Sequence, residues 1–210
     1  MGSKRAKLTG PVTALGVGML LLSCAENTAP EPDNQIVGQT AASPEILVRV
    51  TDQAPRLETN DTAFWAVQGS RTSFAVHYLA PDLEHPESGD LQKFLKITVP
   101  QQTRLVDPNG TPLAVGDSIL ITLKLSEREI MVELGPHGTT FVDEPLELVI
   151  WYAYADLSGA GTRTEDDLGL WYQPDPGEPW ILLGGSIDLR GDWIVARVDH
   201  FSNFAVAWRE

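Results

Sequence analysis

The sequence predicts an all-β domain, an antiparallel two-sheet β-sandwich of roughly 9–11 short strands. Apolar runs rich in β-branched and aromatic residues recur along residues 45–210. Turn-forming residues separate these runs at intervals of about 8–12 residues, which is typical of sandwiches and barrels. No window in this region shows the 3.6-residue apolar period of an amphipathic helix. We therefore expect at most one short helical turn, near Leu83 or Leu91.

The predicted strands occupy these runs in chain order. They are residues 46–50, 63–67, 73–79, 94–99, 118–125, 130–134, 146–155, 168–172, 179–183, 193–198 and 204–208. Residues 118–125 are the clearest case, because apolar and polar residues alternate there and alternate side chains of a strand point to opposite faces. Turn signals such as Gly116-Asp117 and Arg190-Gly191-Asp192 separate the runs.

The first 23 residues are predicted to be a lipoprotein signal peptide. A positively charged segment is followed by residues 8–22, which are uncharged and, at about 15 residues, too short to span a bilayer. Leu21-Leu22-Ser23-Cys24 then resembles the lipobox of bacterial lipoproteins. We therefore expect a lipid on Cys24, through which the protein is held at its membrane. Cys24 is the only cysteine, which excludes a disulfide within the chain.

Residues 24–44 read as the lipidated cysteine and a flexible Pro-rich tether, and residues 45–210 as one domain. Removing residues 1–23 leaves 12 Lys and Arg against 29 Asp and Glu, a net charge of −17. Such an acidic chain should be repelled by nucleic acid, so no nucleic-acid partner is expected. The predicted location is the bacterial cell envelope. Ala25 after Cys24 favours the outer membrane, by resemblance to the sorting rule of enterobacteria.

Two stretches resemble the ZU-five domain of zonula occludens proteins, netrin receptors and ankyrins. The first contains Gly135, Pro136, His137, Gly138 and Phe141, followed by Pro145 at the start of an apolar run. The second is the tail of residues 200–206, with its His-Phe-Ser opening. The resemblance covers roughly residues 94–208 and implies a β-sandwich. From the residues themselves, the glycines and proline predict a tight corner, and Phe141 is expected to fill the core.

The resemblance also suggests a chemical role for His200-Phe201-Ser202, because some eukaryotic relatives cleave themselves at this triplet. Ser202 would be the nucleophile, His200 the base and Phe201-Ser202 the scissile bond. The competing interpretation is a polar bend between two strands, in which His200 or Ser202 bonds to backbone groups. We favour the bend. No G-x-S-x-G motif is present, so a conventional hydrolase is not expected either.

No metal and no cofactor are expected. The four histidines, His77, His85, His137 and His200, lack the spacing of a zinc site. The oxygen-rich segment 156–167 lacks the alternating aspartates of a calcium loop and is interpreted as a solvated hairpin loop.

Six tryptophans are many for one domain, and most should fill the core. Trp180 follows a Pro-rich turn and is the tryptophan that we most expect to be partly exposed and able to bind a sugar or peptide.

We therefore expect a lipid-anchored, non-enzymatic envelope protein with a binding or structural role and an unknown protein or glycan partner. Self-processing at Phe201-Ser202 and a glycan- or peptide-binding module are the alternatives. The sequence does not predict the oligomeric state.

Overall fold

The all-β prediction is confirmed by the computed structural model, which describes residues 47–79 and 93–209. Its strands are β1 (Arg49–Val50), β2 (Asp61–Val67), β3 (Thr72–His77), β4 (Lys93–Val99), β5 (Arg104–Val106), β6 (Ser118–Leu125), β7 (Met131–Gly135), β8 (Thr140–Val142), β9 (Leu146–Trp151), β10 (Ala155–Asp156), β11 (Leu168–Gln173), β12 (Ile181–Gly184), β13 (Ser186–Asp188), β14 (Trp193–Val198) and β15 (Asn203–Trp208). A six-stranded sheet has the order β12-β11-β15-β7-β6-β2 and a five-stranded sheet the order β13-β14-β9-β4-β3.

Side chains from both large sheets form one apolar core. Burial alternates along all eight residues of β6, so Ile121 and Leu123 point inward while Thr122 and Lys124 face outward, as predicted. Leu148 of β9, in the other sheet, belongs to the same cluster. Burial of each such side chain contributes roughly 1.5–3 kcal/mol, which makes this core the main source of stability.

The chain passes repeatedly from one sheet to the other. β14 belongs to the five-stranded sheet and β15 to the six-stranded sheet, and only residues 199–202 lie between them. β15 enters the interior of its sheet, pairing with β11 on one side and β7 on the other. The polar bend predicted between these two strands is therefore the point where the chain crosses the sandwich.

Four strands were not predicted, so the described residues contain 15 strands and not 9–11. β5, β8, β10 and β13 each have only two or three residues. β5 pairs with β8, and β1 with β10, as two small separate sheets. Segments this short show no periodicity, which is why the sequence pattern does not reveal them.

Helical structure in the described ranges is limited to two 3₁₀ turns, Ser158–Ala160 and Glu165–Asp167. The helical turn predicted near Leu83 or Leu91 lies outside the described residues, as do Cys24 and the tether. Nowhere in residues 47–79 and 93–209 is there a helix of the length and apolarity needed to cross a membrane.

Candidate functional site

The two stretches that resemble the ZU-five domain lie against each other. Residues 135–141 form a corner between β7 and β8, and residues 199–202 form the bend between β14 and β15. Phe201 N–H donates to the Thr139 carbonyl at 3.1 Å, and Phe141 N–H to the Asp199 carbonyl at 2.7 Å. The Phe141 and Phe201 rings pack edge to face with centroids 4.8 Å apart. We call this the corner–bend contact.

The corner needs its glycines for two different reasons. Gly138 has a φ of 86°, a conformation that strongly favours glycine. Gly135 is required by space, because a Cβ there would lie 2.6 Å from Thr122 Oγ1. Phe141 is buried, as predicted, and Pro145 stands immediately before β9. The motif residues thus account for a tightly packed corner, without an open site around them.

Ser202 is not presented for reaction in this arrangement. The residue is 0% exposed, and its Oγ has no hydrogen-bond partner in the described ranges. Its carbonyl accepts a hydrogen bond from Leu134 N–H at 3.0 Å, so the backbone after the triplet is tied to β7. The hydroxyl of Thr139 across the contact is likewise buried and unpartnered. The bend was predicted to bond His200 or Ser202 to backbone groups. No such side-chain bond is found for either residue in the described ranges, and the His200 ring lies against Asp199.

His200 faces a carboxylate. Its Nδ1 lies 2.6 Å from Asp199 Oδ1, and its ring packs edge to face on Tyr172 at 5.1 Å. Burial, followed by the negative charge of Asp199, raises the pKa of the Tyr172 hydroxyl. No hydrogen bond joins His200 to Ser202 in the described ranges, so the base and nucleophile of the self-cleavage hypothesis are not engaged with each other.

The remaining histidines do not converge. His77 Nδ1 lies 3.3 Å from a Glu58 carboxylate oxygen, and His137 Nε2 lies 3.9 Å from one of Glu133. His85 lies outside the described residues. No group of three or more His, Cys, Asp or Glu residues capable of holding a metal occurs in the described part of the chain.

The oxygen-rich segment 156–167 uses its carboxylates to shape its own backbone. Asp156 Oδ1 accepts a hydrogen bond from Ser158 N–H at 3.0 Å, and hydrogen bonds from Ser158 lower the pKa of Asp156. Asp167 Oδ2 accepts one from Thr164 N–H at 2.8 Å, which closes a capping box. These contacts make two 3₁₀ turns in place of the featureless solvated loop that was expected.

The tryptophans separate into core and surface residues. Trp151, Trp171 and Trp208 are buried, and Trp180 is half-buried. The most exposed is Trp65, at 60%, and its neighbour across the sheet, Leu120, is 38% exposed. Trp180 is thus partly exposed, as predicted, but Trp65 is exposed to a greater extent. Trp65 lies on an outward-facing position of edge strand β2, whose edge location the sequence does not reveal.

A groove of about 860 Å³ opens at one end of the domain. Three separate segments line it, residues 49–60, the Tyr78/Phe94 pair and residues 126–129. Tyr78 and Phe94 are buried, and their rings pack edge to face at 5.7 Å. The Tyr78 hydroxyl is buried and has no hydrogen-bond partner among the described residues, and burial raises the pKa of this hydroxyl. We call this cavity the arginine groove, after Arg49, Arg56 and Arg128.

Its acidic side chains are bonded to neutral partners. Asn60 Nδ2 donates to Glu127 Oε1, and Ser126 Oγ donates to Glu129 Oε2 at 2.5 Å. The third acid, Asp52, is exposed. The guanidinium groups of the three arginines form no ion pair with any described residue.

Arg49 nevertheless has an acidic neighbour. It stands opposite Asp156 in the β1–β10 pair and helps, after the Ser158 hydrogen bonds, to lower the pKa of Asp156. Arg56 and Arg128 form no ion pair with a described carboxylate, although Asp52, Glu127 and Glu129 also line the groove. These two are therefore the residues best placed to bind an added anion.

Comparison of the chain with protein-family models, curated proteins and solved structures found no match. The ZU-five resemblance therefore stays a prediction that rests on the two stretches of the corner–bend contact.

The arginine groove has no recognisable motif in the sequence. Arg49, Arg56 and Arg128 lie in segments that share no motif, and only the pairing of β1 with the turn at residues 126–129 brings them together. The one available signal was weak, namely arginines inside or beside apolar runs of a strongly acidic chain.

Proposed function

We propose that this chain is a lipid-anchored, non-enzymatic binding protein of the bacterial cell envelope, and that the arginine groove holds its ligand. The observation that carries the proposal is a groove of about 860 Å³ in which Arg56 and Arg128 have no acidic partner among the described residues. A volume of this size falls within the range of small-ligand sites.

The ligand chemistry follows from the guanidinium groups. Arginine presents a planar set of donors that matches a carboxylate or a phosphate, and a charge-assisted pair of this kind is about twice as strong as a neutral hydrogen bond. The sequence carries a net charge of −14, so an anionic ligand is disfavoured over most of the surface. We therefore assign to the groove a small acidic ligand, such as an acidic oligosaccharide or a short acidic peptide.

Isothermal titration calorimetry of the full chain tests this assignment. The probes are digalacturonate and a tri-aspartate peptide, with maltose as the uncharged control. Arg128→Ala should weaken binding of the acidic probe at least about tenfold, which corresponds to the ~1.4 kcal/mol expected for one charge-assisted hydrogen bond. Arg197→Ala, an exposed arginine on β14, is the matched control and should leave affinity unchanged. Equal affinities of both variants, or no binding of either acidic probe, would contradict the groove assignment.

The anchor has its own test. Metabolic labelling with an alkyne fatty acid should mark the full chain in a bacterial host, and Cys24→Ser should abolish the label. Ser23→Cys in the Cys24→Ser background, with a cysteine one position early, serves as the control for spacing. Persistent labelling of Cys24→Ser would place the lipid elsewhere and remove this part of the proposal.

Self-processing at Phe201-Ser202 is the second candidate. It is supported by the His200-Phe201-Ser202 triplet, in which Ser202 Oγ has no hydrogen bond to a described residue that would hold it away from the Phe201 carbonyl. In this reaction Ser202 Oγ attacks the Phe201 carbonyl carbon, its proton passes to a base, and the C–N bond breaks as the Ser202 nitrogen takes up a proton. Water then hydrolyses the resulting ester, which leaves a carboxylate on Phe201 and an amine on Ser202. The segment 202–210 would stay in the sheet through β15.

Intact mass spectrometry under denaturing conditions distinguishes the two candidates. A single species that still contains residues 202–210 after days at neutral pH would exclude self-processing. A nick that is lost in Ser202→Ala but kept in Ser186→Ala, an exposed serine on β13, would establish it.

A further inference from the structure

Within the part of the chain that the structure describes, strand β2 is an open edge of the six-stranded sheet. Its seven residues pair in unbroken register with β6 on one side, and the sheet order ends at β2 on the other. Protected edge strands usually carry a lysine, a proline or a bulge, or are very short. β2 has the sequence DTAFWAV and shows none of these features.

The flanking hydrogen bonds show which backbone groups face the open side. Leu125 N–H donates to the Asn60 carbonyl at 2.8 Å, and Gln68 N–H donates to the Asp117 carbonyl at 2.8 Å. In an antiparallel ladder the two backbone groups of one residue point the same way, and successive residues alternate. Even-numbered residues of β2 therefore bond to β6, and the backbone groups of Asp61, Ala63, Trp65 and Val67 point away from it.

Three of the four backbone groups at the two ends of this open row have local partners, and the Val67 N–H has none among the described residues. Thr59 Oγ1 donates to the Asp61 carbonyl at 2.7 Å and accepts from Asp61 N–H at 3.3 Å. Ser70 N–H donates to the Val67 carbonyl at 3.1 Å. The N–H and carbonyl groups of Ala63 and Trp65 are left without a partner among the described residues. The centre of the edge is thus a two-residue hydrogen-bonding template.

We propose that two copies of this chain pair through antiparallel β2 strands, in the register centred on Phe64. This register sets Ala63 of each copy opposite Trp65 of the other, so that four hydrogen bonds form from the groups left open. It also sets Trp65, which is 60% exposed, across from the small exposed side chain of Ala63. Asp61 meets Val67, so no carboxylate faces a carboxylate along the paired strands.

The alternative registers fit less well. Centring on Trp65 places two large indoles directly opposite, and centring on Ala63 places Asp61 opposite Trp65. On the outward face, only the Phe64-centred register matches a large side chain with a small one at both positions. On the other face it sets the Phe64 side chains of the two copies opposite each other. It joins the two six-stranded sheets into one continuous sheet and brings Trp65 of each copy beside Ala63 of the other.

Charge opposes this association. Each copy carries a net charge of −14, and screening of that repulsion improves with ionic strength. The dimer should therefore form more readily in about 0.5 M salt than in about 0.05 M salt, the reverse of an interface held together by ion pairs.

Disulfide cross-linking tests the register. In the full chain with Cys24→Ser, which has no other cysteine, Ala63→Cys and Trp65→Cys variants are mixed under mild oxidation. Hydrogen-bonded partners lie about 5.5 Å apart between Cα atoms, within disulfide reach. We expect the mixed product, which joins one Ala63→Cys chain to one Trp65→Cys chain, to exceed both homodimers. Thr122→Cys, exposed on β6 one strand further from the edge, should not cross-link with either variant. A mixed product no greater than the Thr122→Cys background overturns the register.

Light scattering tests the edge itself. The measured mass should rise from one chain to two with concentration, and Ala63→Pro should return it to one chain. Proline is tolerated there because the Ala63 N–H points away from β6. Phe64→Pro, which removes a ladder bond to β6, is the contrasting variant and should unfold the strand. A monomer at every concentration and salt level, or a dimer that survives Ala63→Pro, overturns the proposal.

Discussion

At the corner–bend contact, the backbone N–H groups of Leu134, Phe141 and Phe201 are all hydrogen-bonded and the aromatic rings are buried. In the arginine groove, by contrast, Arg56 and Arg128 are exposed and form no ion pair with a described residue. The corner–bend contact, which carries a recognisable motif, is therefore inaccessible to a ligand, and the arginine groove, which carries none, is accessible. Reactive residue types at close spacing do not by themselves make a site, because a site also needs access.

Four substitutions test this contrast between the two regions. If the corner–bend contact is structural and the groove functional, changes at the first should alter stability, and changes at the second should alter stability little.

Phe201→Ala should have the largest effect. Its ring is nearly fully buried and packs on Phe141, so its removal leaves a cavity and should destabilise the fold by about 3–5 kcal/mol. Urea denaturation followed by tryptophan fluorescence measures this. Leu189→Ala, at an exposed leucine, is the control and should change the free energy of unfolding by less than ~0.5 kcal/mol. A loss below ~1 kcal/mol for Phe201→Ala would mean that the contact is not part of the core.

Tyr78→Phe tests the floor of the groove at alkaline pH. Burial, and then Tyr154, raise the pKa of the Tyr78 hydroxyl, so the folded state favours the neutral phenol. The contribution of the neutral phenol to the free energy of unfolding is present below pH ~10. It is lost as pH rises above that value, at up to ~1.4 kcal/mol per pH unit. Tyr78→Phe should therefore lose less stability between about pH 9 and 11 than the parent chain. Identical pH profiles would show that this hydroxyl ionises as freely in the folded state as in the unfolded state.

Thr139→Val should be neutral or slightly stabilising, by up to about 1 kcal/mol. The hydroxyl of Thr139 is buried and has no partner, and the replacement keeps the shape while removing the desolvated polar group. Thermal unfolding is the measurement, with Thr103→Val as control. Thr103 is also buried, but its hydroxyl donates to the Glu144 carbonyl at 2.8 Å, so that variant should be destabilised. Equal losses in both would indicate that Thr139 has a partner in solution.

Arg128→Ala should have the smallest effect on stability, less than ~0.5 kcal/mol, because its guanidinium forms no ion pair with a described residue. The same variant should lose affinity for the acidic probe, so calorimetric titration and denaturation should give opposite rankings of Arg128→Ala and Phe201→Ala. A strong destabilisation by Arg128→Ala would make the groove a structural feature.

The fold was predictable because its signal is local. The alternation in Ser118–Leu125 and the apolar runs directly reflect a two-residue period, and each of the eleven predicted runs contains a strand. β5 and β8 were not predictable, because three-residue strands have no measurable period and are defined by their pairing with each other. Sheet order could not be predicted from the sequence either. The exposure of Trp65 was unpredictable for the same reason, because it depends on the position of β2 at the edge of the sheet.

The candidate site was predictable only where chain neighbours form it. The corner at Gly135, Pro136 and Gly138 could be read from residue types, since backbone freedom is an intrinsic property of those residues. The environment of Ser202 could not, because its burial depends on β7 and Thr139, more than 60 residues earlier. Tertiary contacts between separate segments of the chain form the arginine groove, and no residue spacing in the sequence indicates those contacts.

The interior position of β15 has a consequence for biosynthesis. Until residues 203–208 have emerged, the six-stranded sheet exists only as two separate fragments, β11–β12 and β2–β6–β7, each exposing an unpaired strand. A chain that crosses a membrane N-terminus first would therefore pass through a window in which nearly all of the domain is present but unable to close. Holdase chaperones and proteases would compete for the incompletely folded chain during that time. A chain truncated before Asn203 could never complete the six-stranded sheet.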